Sequence, residues 1–480
     1  MGEGAPEPVS AERAAELVDS GDVVGVSGFS NSGYPKAVPP ALAEREGLSD
    51  LTILSGGTVG DELDDVLVGS GAVSRRIPYQ SGEETRRRAN DGRLAYADRH
   101  ISQMGYDTRY GFFGDVDVAI VEALAVEDGE VVPTTSLGNT PVYVAEADTV
   151  IVEVNDHQHP DLRRLHDVYV PDDPPDREPI PITSPGDRIG RSTIPVDHVD
   201  AVVETDAADK TYQYGRGGET QAAIVENLTD LLVADMAAGR IPDDELRLQF
   251  GVGGLNNRLL ESIPSIAEHA DTVSFYGEAL QDGILDNLAE GHMDVASGCA
   301  LALTREGQRR LFDDIDTFAD RMVLRPQEVS NSPEVVRRLG VVTINVALEV
   351  DIYGNANSTH LFGRDILNGL GGSGDFVRNG LVSIVALPST AKGGDVSRVV
   401  PMVPHVDHNE HDIDVVVTER GVADLRGLSP RERAVELIEN CAHPSYEDEL
   451  MDYYERARRD GGQTPHHLDE ALDWHLRWQG

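Results

Sequence analysis

The chain has 480 residues, 40% of them hydrophobic, enough for roughly two or three domains with cores of ordinary size. Its 85 acidic residues against 40 basic ones leave a net charge of -45, which excludes nucleic acid as a partner, and its only lysines are Lys36, Lys210 and Lys392. No stretch approaches the roughly 20 apolar residues of a membrane span, and the opening MGEGAPEPVSAER lacks the basic-then-apolar layout of a secretory signal, so a cytoplasmic protein away from membranes is expected.

In chain order, a helical opening AERAAELVDS leads to the strand VVGVSGF (23–29), the helix AVPPALAEREG and the strand LTILSGG (51–57). VDVAIVEAL (116–124) and TVIVEVN (149–155) follow. These short runs rich in Val and Ile read as buried parallel strands, so the fold class is α/β with right-handed crossovers. Between Pro160 and Pro195 prolines recur too often for a long helix or a central strand, and an extended loop region packed on the first half is expected.

YGRGGET (214–220) marks the expected boundary between a first domain, 1–217, and a second, 218–480. After the helix QAAIVENLTDLLVADMAAG the grammar restarts with LRLQFGVGG (246–254), the helix NNRLLESI and the strand TVSFYGE (272–278). VVTINVALEVDIYG (341–354), LVSIVALPS (381–389) and DIDVVVTERG (412–421) continue it, and the tail beyond LSPRERAVELIEN reads as surface helices. The restart is a weak internal repeat: strand, glycine turn, helix and strand occur in the same order in each half.

So large an anionic excess, about one net charge in ten residues, destabilises a compact state by self-repulsion. Molar salt shortens the screening length to about 3 Å and removes most of that repulsion, so a salt-rich cytosol is the expected setting. Cys299 and Cys441 are too few for a disulfide framework or a four-ligand zinc site and receive no role. His405, His408 and His411, spaced three apart in PHVDHNEHDID, read as a polar loop rather than a metal site, because no carboxylate–histidine pattern at helical spacing accompanies them. No metal is expected.

Ligands of open α/β sheets bind beyond the carboxyl ends of strands. At such an end GVGG (251–254) is either an N–H cradle for an anion or oxyanion, or a tight turn without a ligand. Glu278, ending TVSFYGE, is either a reacting carboxylate or an acid stabilised at a helix N-terminus. LNGLGGSGDF (367–376) carries more glycines than most structural purposes need: it is either a backbone cradle close to a ligand or a flexible surface loop, and its flanking apolar residues favour the cradle.

The runs GFSNSGYPKAVP (28–39), VLRPQEVSNSPEVVRRLGV (323–341), DIYGNANSTH (351–360), NGLGGSGDFVRN (368–379) and STAKGGDVSRVVPMV (389–403) resemble the acetyl-CoA hydrolase/transferase family. HVDHNEHDIDVVVTERGVADLRGLSPRERA (405–434) resembles it too, nearest to the succinyl-CoA:acetate CoA-transferases. The resemblance implies two tandem CoA-transferase-type open α/β domains with the active site at their interface, and a glutamyl-CoA thioester on Glu278. It implies an oxyanion donor at the Val252 backbone, and a carboxylate held by Asn331 and the Gly372 backbone. Val252, Gly253, Gly254, Leu255, Asn256, Asn368, Gly372 and Lys392 then line the coenzyme A site. Lys210 stands where relatives often carry arginine, keeping the charge but losing the planar fork, and Glu419 is a carboxylate available to these cations. Lys36 is equally a functional or a surface residue.

The implied substrates are acetyl-CoA or CoA and small carboxylates, with no cofactor beyond coenzyme A itself, and relatives suggest a homodimer. Hydrolysis of acetyl-CoA would use the same residues with water as acceptor. A non-catalytic CoA sensor would keep the glycine cradles but have no use for Glu278 and Asn331.

Overall fold

The computed structural model describes residues 6–215 and 217–478. The chain packs as two units, one of residues up to Gln213 with Phe275–Val335, the other of Tyr214–Ser274 with the residues from Val336 onward. The first crossing, Gln213 to Tyr214, lies beside the boundary expected from YGRGGET. The segment Phe275–Val335, which carries Glu278 and Asn331, packs with the first unit although it falls within the expected second domain. Periodicity is a local signal, whereas this return is made by long-range bonds such as Leu137 N–H to the Cys299 carbonyl at 2.9 Å.

The first unit is built on a seven-stranded parallel sheet in the order Ala201–Thr205, Thr149–Asn155, Val118–Ala123, Val23–Val26, Leu51–Ser55, Val73–Ile77, Ala95–Tyr96. The four apolar runs expected as parallel strands therefore lie side by side. Val24, Ile53, Ile120 and Ile151 form a core with Ala14, Val18, Leu42 and Leu63 from the covering segments. Burying each of these Val, Ile and Leu side chains stabilises the fold by about 1.5–3 kcal/mol.

The proline-rich stretch has a short helical turn, Pro160–Leu165, and then only the strand Ile194–Pro195, which pairs with Glu130–Val132. Arg188 ties the stretch down by donating to the carbonyls of His166 (3.1 Å), Ala319 (3.0 Å) and Met322 (2.8 Å). In the returning segment Val295–Gly298 pairs in parallel with Met322–Leu324, and Ala279–Leu280 with Ala300–Leu301.

In the second unit Leu246–Phe250, Val342–Val346, Val382–Ala386 and Val415–Thr418 run parallel, and Gly421–Asp424 closes the edge as an antiparallel strand. The helices Glu219–Ala237 and Gly254–Ala267 pack on one another. The helices Pro430–Cys441, Pro444–Asp460 and Leu468–Leu476 are more than a surface layer. They bury Leu437, Ile438, Leu450, Tyr453, Tyr454 and Trp474 in a core with Val350, Val385 and Val416. An amphipathic helix shows its polar face to a sequence reader, and only packing reveals what its apolar face covers.

Candidate active site

Glu278 sits in the bend between the strand Val273–Tyr276 and the short strand Ala279–Leu280, in the first unit. Gly277 N–H donates to the Ser297 carbonyl at 3.0 Å, and the N–H groups of Cys299 and Ala300 reach the Glu278 carbonyl at 2.6 and 3.1 Å. This clasp leaves no room at Gly298, where a Cβ would stand 2.6 Å from the Glu278 carbonyl oxygen. The Glu278 carboxylate is half-buried, and Asn331 Nδ2 donates to its Oε1 at 2.8 Å.

Buried apolar groups, Phe29, Ile101, Cys299 and Ala300, cluster with Tyr79 beside this carboxylate. Burial first, and the Glu278 charge second, push the Cys299 thiol well above its usual range. The Tyr79 phenol is raised for the same reasons, with burial the larger cause and the charges of Tyr212 and Glu278 adding to it. Both groups therefore stay protonated, and neither competes with Glu278 as an anion.

Asn331 is fully buried and follows the single turn Gln327–Ser330. Residues outside the expected set hold that turn. Arg325, itself fully buried, pairs with Asp167, donates from Nε to Ser297 Oγ at 2.9 Å and from an Nη to the Pro185 carbonyl at 3.0 Å. Burial lowers its guanidinium pKa. Glu328 takes Arg109 at 3.1 Å and Arg177 at 3.0 Å, and Tyr276 Oη donates to the Val329 carbonyl at 2.8 Å. Their signal in the sequence was the unbroken motif LRPQEVSNSPE, whose charged members flank Asn331 without naming their partners.

The GFSNSGYPK loop reaches the same region, with Ser32 Oγ donating to the Leu301 carbonyl. Lys36 proves to be neither a surface residue nor a free ligand group. Its ammonium is buried against Glu122, Asp209 at 2.9 Å and the Tyr34 carbonyl at 2.8 Å. Burial lifts the Glu122 carboxyl to about 7 even though the Lys36 charge opposes the shift. Lys210 is exposed and paired with Asp61.

In the second unit the strand Leu246–Phe250 ends in the glycine turn, and the helix begins at Gly254. Gly253 has φ 144°, a left-handed value that favours glycine, and an added Cβ there would meet nothing. Val252, Gly253, Gly254 and Leu255 are half-buried, whereas Asn256 is buried with no hydrogen-bond partner on its Oδ1. Asn368 Nδ2 donates to the carbonyls of Ser358 (3.3 Å) and Gly369 (3.0 Å), and Gly372 precedes the helix Ser373–Asn379.

Lys392 and Glu419 line one cavity of about 450 Å³ with Thr220, Gln221 and His443. Glu419 accepts from the Ser389 N–H at 2.8 Å and from its hydroxyl, whereas Lys392 is exposed in the turn Lys392–Gly394. The structure thus joins Glu278 to Asn331 in one unit and Lys392 to Glu419 in the other, and it sets Lys210 against Asp61. Among the described residues no group of His, Cys, Asp and Glu is placed to hold a metal ion, and no helix is long and apolar enough to cross a membrane.

Family models match the acetyl-CoA hydrolase/transferase N-terminal domain at residues 7–208 and the corresponding C-terminal domain at 307–454. A succinyl-CoA:acetate CoA-transferase from Clostridium kluyveri is 45% identical over 98% of this chain and 88% of its own. A propanoyl-CoA:succinate CoA transferase from Escherichia coli is 42% identical over 97% of this chain and 96% of its own. An acetyl-CoA hydrolase from Candida albicans is 37% identical over 98% of this chain and 94% of its own. Among solved structures, a 4-hydroxybutyrate CoA-transferase from Porphyromonas gingivalis has a TM-score of 0.64 at 22% identity, covering 94% of this chain and 97% of that one. RipA from Yersinia pestis has a TM-score of 0.72 at 22% identity with the same coverage. At that identity the likeness shows the fold, two tandem α/β domains with parallel sheets. With both family models matched in order and relatives similar over nearly its whole length, the chain is an enzyme and belongs to the acetyl-CoA hydrolase/transferase family.

Proposed function

We propose that this enzyme moves coenzyme A between acetate and another small carboxylic acid through a thioester on Glu278. The observation that carries the reading is the buried Asn331 amide held 2.8 Å from the Glu278 carboxylate at a strand end. Similarity to a succinyl-CoA:acetate CoA-transferase at 45% identity supports it.

The ionised Glu278 attacks the thioester carbonyl, the carbon–sulfur bond breaks, and coenzyme A leaves as its thiolate from a mixed anhydride. The thiolate then adds to the glutamyl carbonyl and expels acetate, leaving coenzyme A on the enzyme. A second carboxylate runs these steps in reverse and departs as its CoA ester. Each addition passes through an oxyanion, for which the Val252 N–H is the assigned donor, and donors of this kind contribute about 3–4 kcal/mol.

Asn331 and the Gly372 N–H are assigned to the free carboxylate. An amide binds that anion without protonating it, and once Glu278 is acylated the Asn331 donor passes to the departing acid. Residues 252–256, Asn368, Lys392 and Glu419 are assigned to coenzyme A. The exposed position of Lys392 suits a phosphate contact, and Lys210 would first have to leave Asp61. The chemistry closes without a metal or redox cofactor. The reading takes the protein as a homodimer in the cytoplasm of a salt-rich cell.

Hydrolysis of acetyl-CoA is the second reading, favoured by the 37% identity to an acetyl-CoA hydrolase, with water in place of the second acid. Free CoA release at molar salt, with and without succinate or propionate, separates the two. Labelled acetate should enter acetyl-CoA with no second substrate, and Glu278→Ala should abolish that exchange. Full exchange by Glu278→Ala would overturn the glutamyl mechanism for both readings.

A further inference from the structure

The histidine-bearing stretch His405–His411 is engaged with the glycine-rich run of the second unit. His408 is 3% exposed, and its Nε2 lies 3.2 Å from Ser373 Oγ. With Ser373 Oγ donating to the Leu370 carbonyl at 2.8 Å, the arrangement assigns the donor role to His408, in its Nε2–H tautomer. Its backbone N–H is fixed on the Ala356 carbonyl at 3.1 Å.

The neighbouring residues hold the other end of the same run. Asp407 accepts from the Ser358 N–H at 2.6 Å and from Thr359 Oγ1 at 2.9 Å, and the His405 ring lies 3.8 Å from that of His360. Residues 358 and 359 in turn receive Asn368 Nδ2 at 3.3 Å and Leu367 N–H at 2.8 Å. The stretch from Asn368 to Ser373 is thereby gripped at each end, and between the grips the chain is Gly369, Leu370, Gly371 and Gly372. Gly371 has φ 59°. Glycines bring no side chains to wedge a backbone in place, so the direction of the Gly372 N–H depends on its anchored flanks.

We infer that His408 is a positioning residue for the carboxylate site: through Ser373 it sets the orientation in which the Gly372 N–H meets the acyl donor or acceptor acid. This rests on the reading that Gly372 binds that acid. His408 touches no reacting atom and takes no part in proton transfer.

The test is steady-state kinetics on His408→Leu, His408→Gln and Ser373→Ala. His408→Leu and Ser373→Ala should each raise KM for acetate and succinate by about tenfold while KM for the acyl-CoA stays within about twofold. His408→Gln, which keeps a donor near the Nε2 position, should recover most of that loss. If His408→Leu does not fold, Ser373→Ala carries the comparison alone. Unchanged carboxylate KM values, a parallel rise in both KM values, or a glutamine variant no better than leucine would each overturn the role.

The mass of the Glu278 peptide after exposure to acetyl-CoA alone supplies a separate readout. A wild-type peptide without a CoA adduct sinks the thioester mechanism itself. Adducts in every variant, with unshifted carboxylate KM, sink only the part assigned to His408.

Discussion

At the scale of single residues, chemistry depends on which charge is left available. The three lysines diverge: Lys36 is consumed by Glu122 and Asp209, Lys210 by Asp61, and Lys392 stands exposed in a cavity. Asn331 Nδ2 donates to the Glu278 carboxylate, and hydrogen bonds to charged groups contribute about 1.5–3 kcal/mol. Asn331→Ala should therefore lower kcat/KM by roughly 10- to 150-fold and, because the bond is already made in the resting protein, also lower the melting temperature by a few degrees, as rate assays and thermal melts would show. His166 bears on stability. It is buried with Nε2 on the Thr134 carbonyl at 2.7 Å, and burial holds its imidazole down at about 4 against an ordinary 6.5. Below pH 6.5 the unfolded chain takes up a proton that the folded one refuses, so stability falls with pH until about 4, by up to about 3 kcal/mol. His166→Gln keeps a donor and loses the titration. Its melting temperature should fall less steeply than wild type between those pH values, and an equal slope would refute the assignment.

At the scale of elements, the site depends on one crowded clasp. Gly298 ends the strand Val295–Gly298 where a Cβ would stand 2.6 Å from the Glu278 carbonyl and 3.1 Å from the Leu280 side chain. Backbone cannot yield as a flexible side-chain end does, so Gly298→Ala must shift the bend that presents Glu278. We expect more than about tenfold loss in kcat with a melting point lowered by roughly 5 °C, since a displacement of about 1 Å in a reacting group costs far more rate than stability. Wild-type kcat in a folded Gly298→Ala protein would show that the bend has slack. The glycines themselves were visible in the sequence as turn signals. The clasp was not, because it joins residues about twenty positions apart whose proximity no period encodes.

At the scale of the whole molecule, electrostatics sets the conditions for folding. Surface pairs such as Arg87 with Glu84 and Arg309 with Glu306 lose strength in salt, but exposed pairs contribute only about 0–1 kcal/mol each. Against them stands the mutual repulsion behind a net charge of -45, which salt also screens. On the reading that repulsion outweighs these pairs, the melting temperature should rise by more than about 10 °C between 0.1 and 2 M KCl. A flat or falling curve in calorimetry would overturn the proposed adaptation to high salt.

The amino-acid sequence by itself determined the α/β class, the parallel strands, the glycine turns at their ends, and the motifs carrying Glu278 and Asn331. Those features are written in short periods and contiguous residues, so neighbours along the chain suffice to define them. Tertiary structure alone decided that Phe275–Val335 packs with the first unit, that Lys36 is a buried counterion, and that His408 grips the glycine run. It also decided what holds Asn331: Arg325 meets Asp167 across 158 positions, and Arg109 meets Glu328 across 219. A buried charge finds its partner through space once the chain has collapsed, and nothing local in the sequence records where that partner will be.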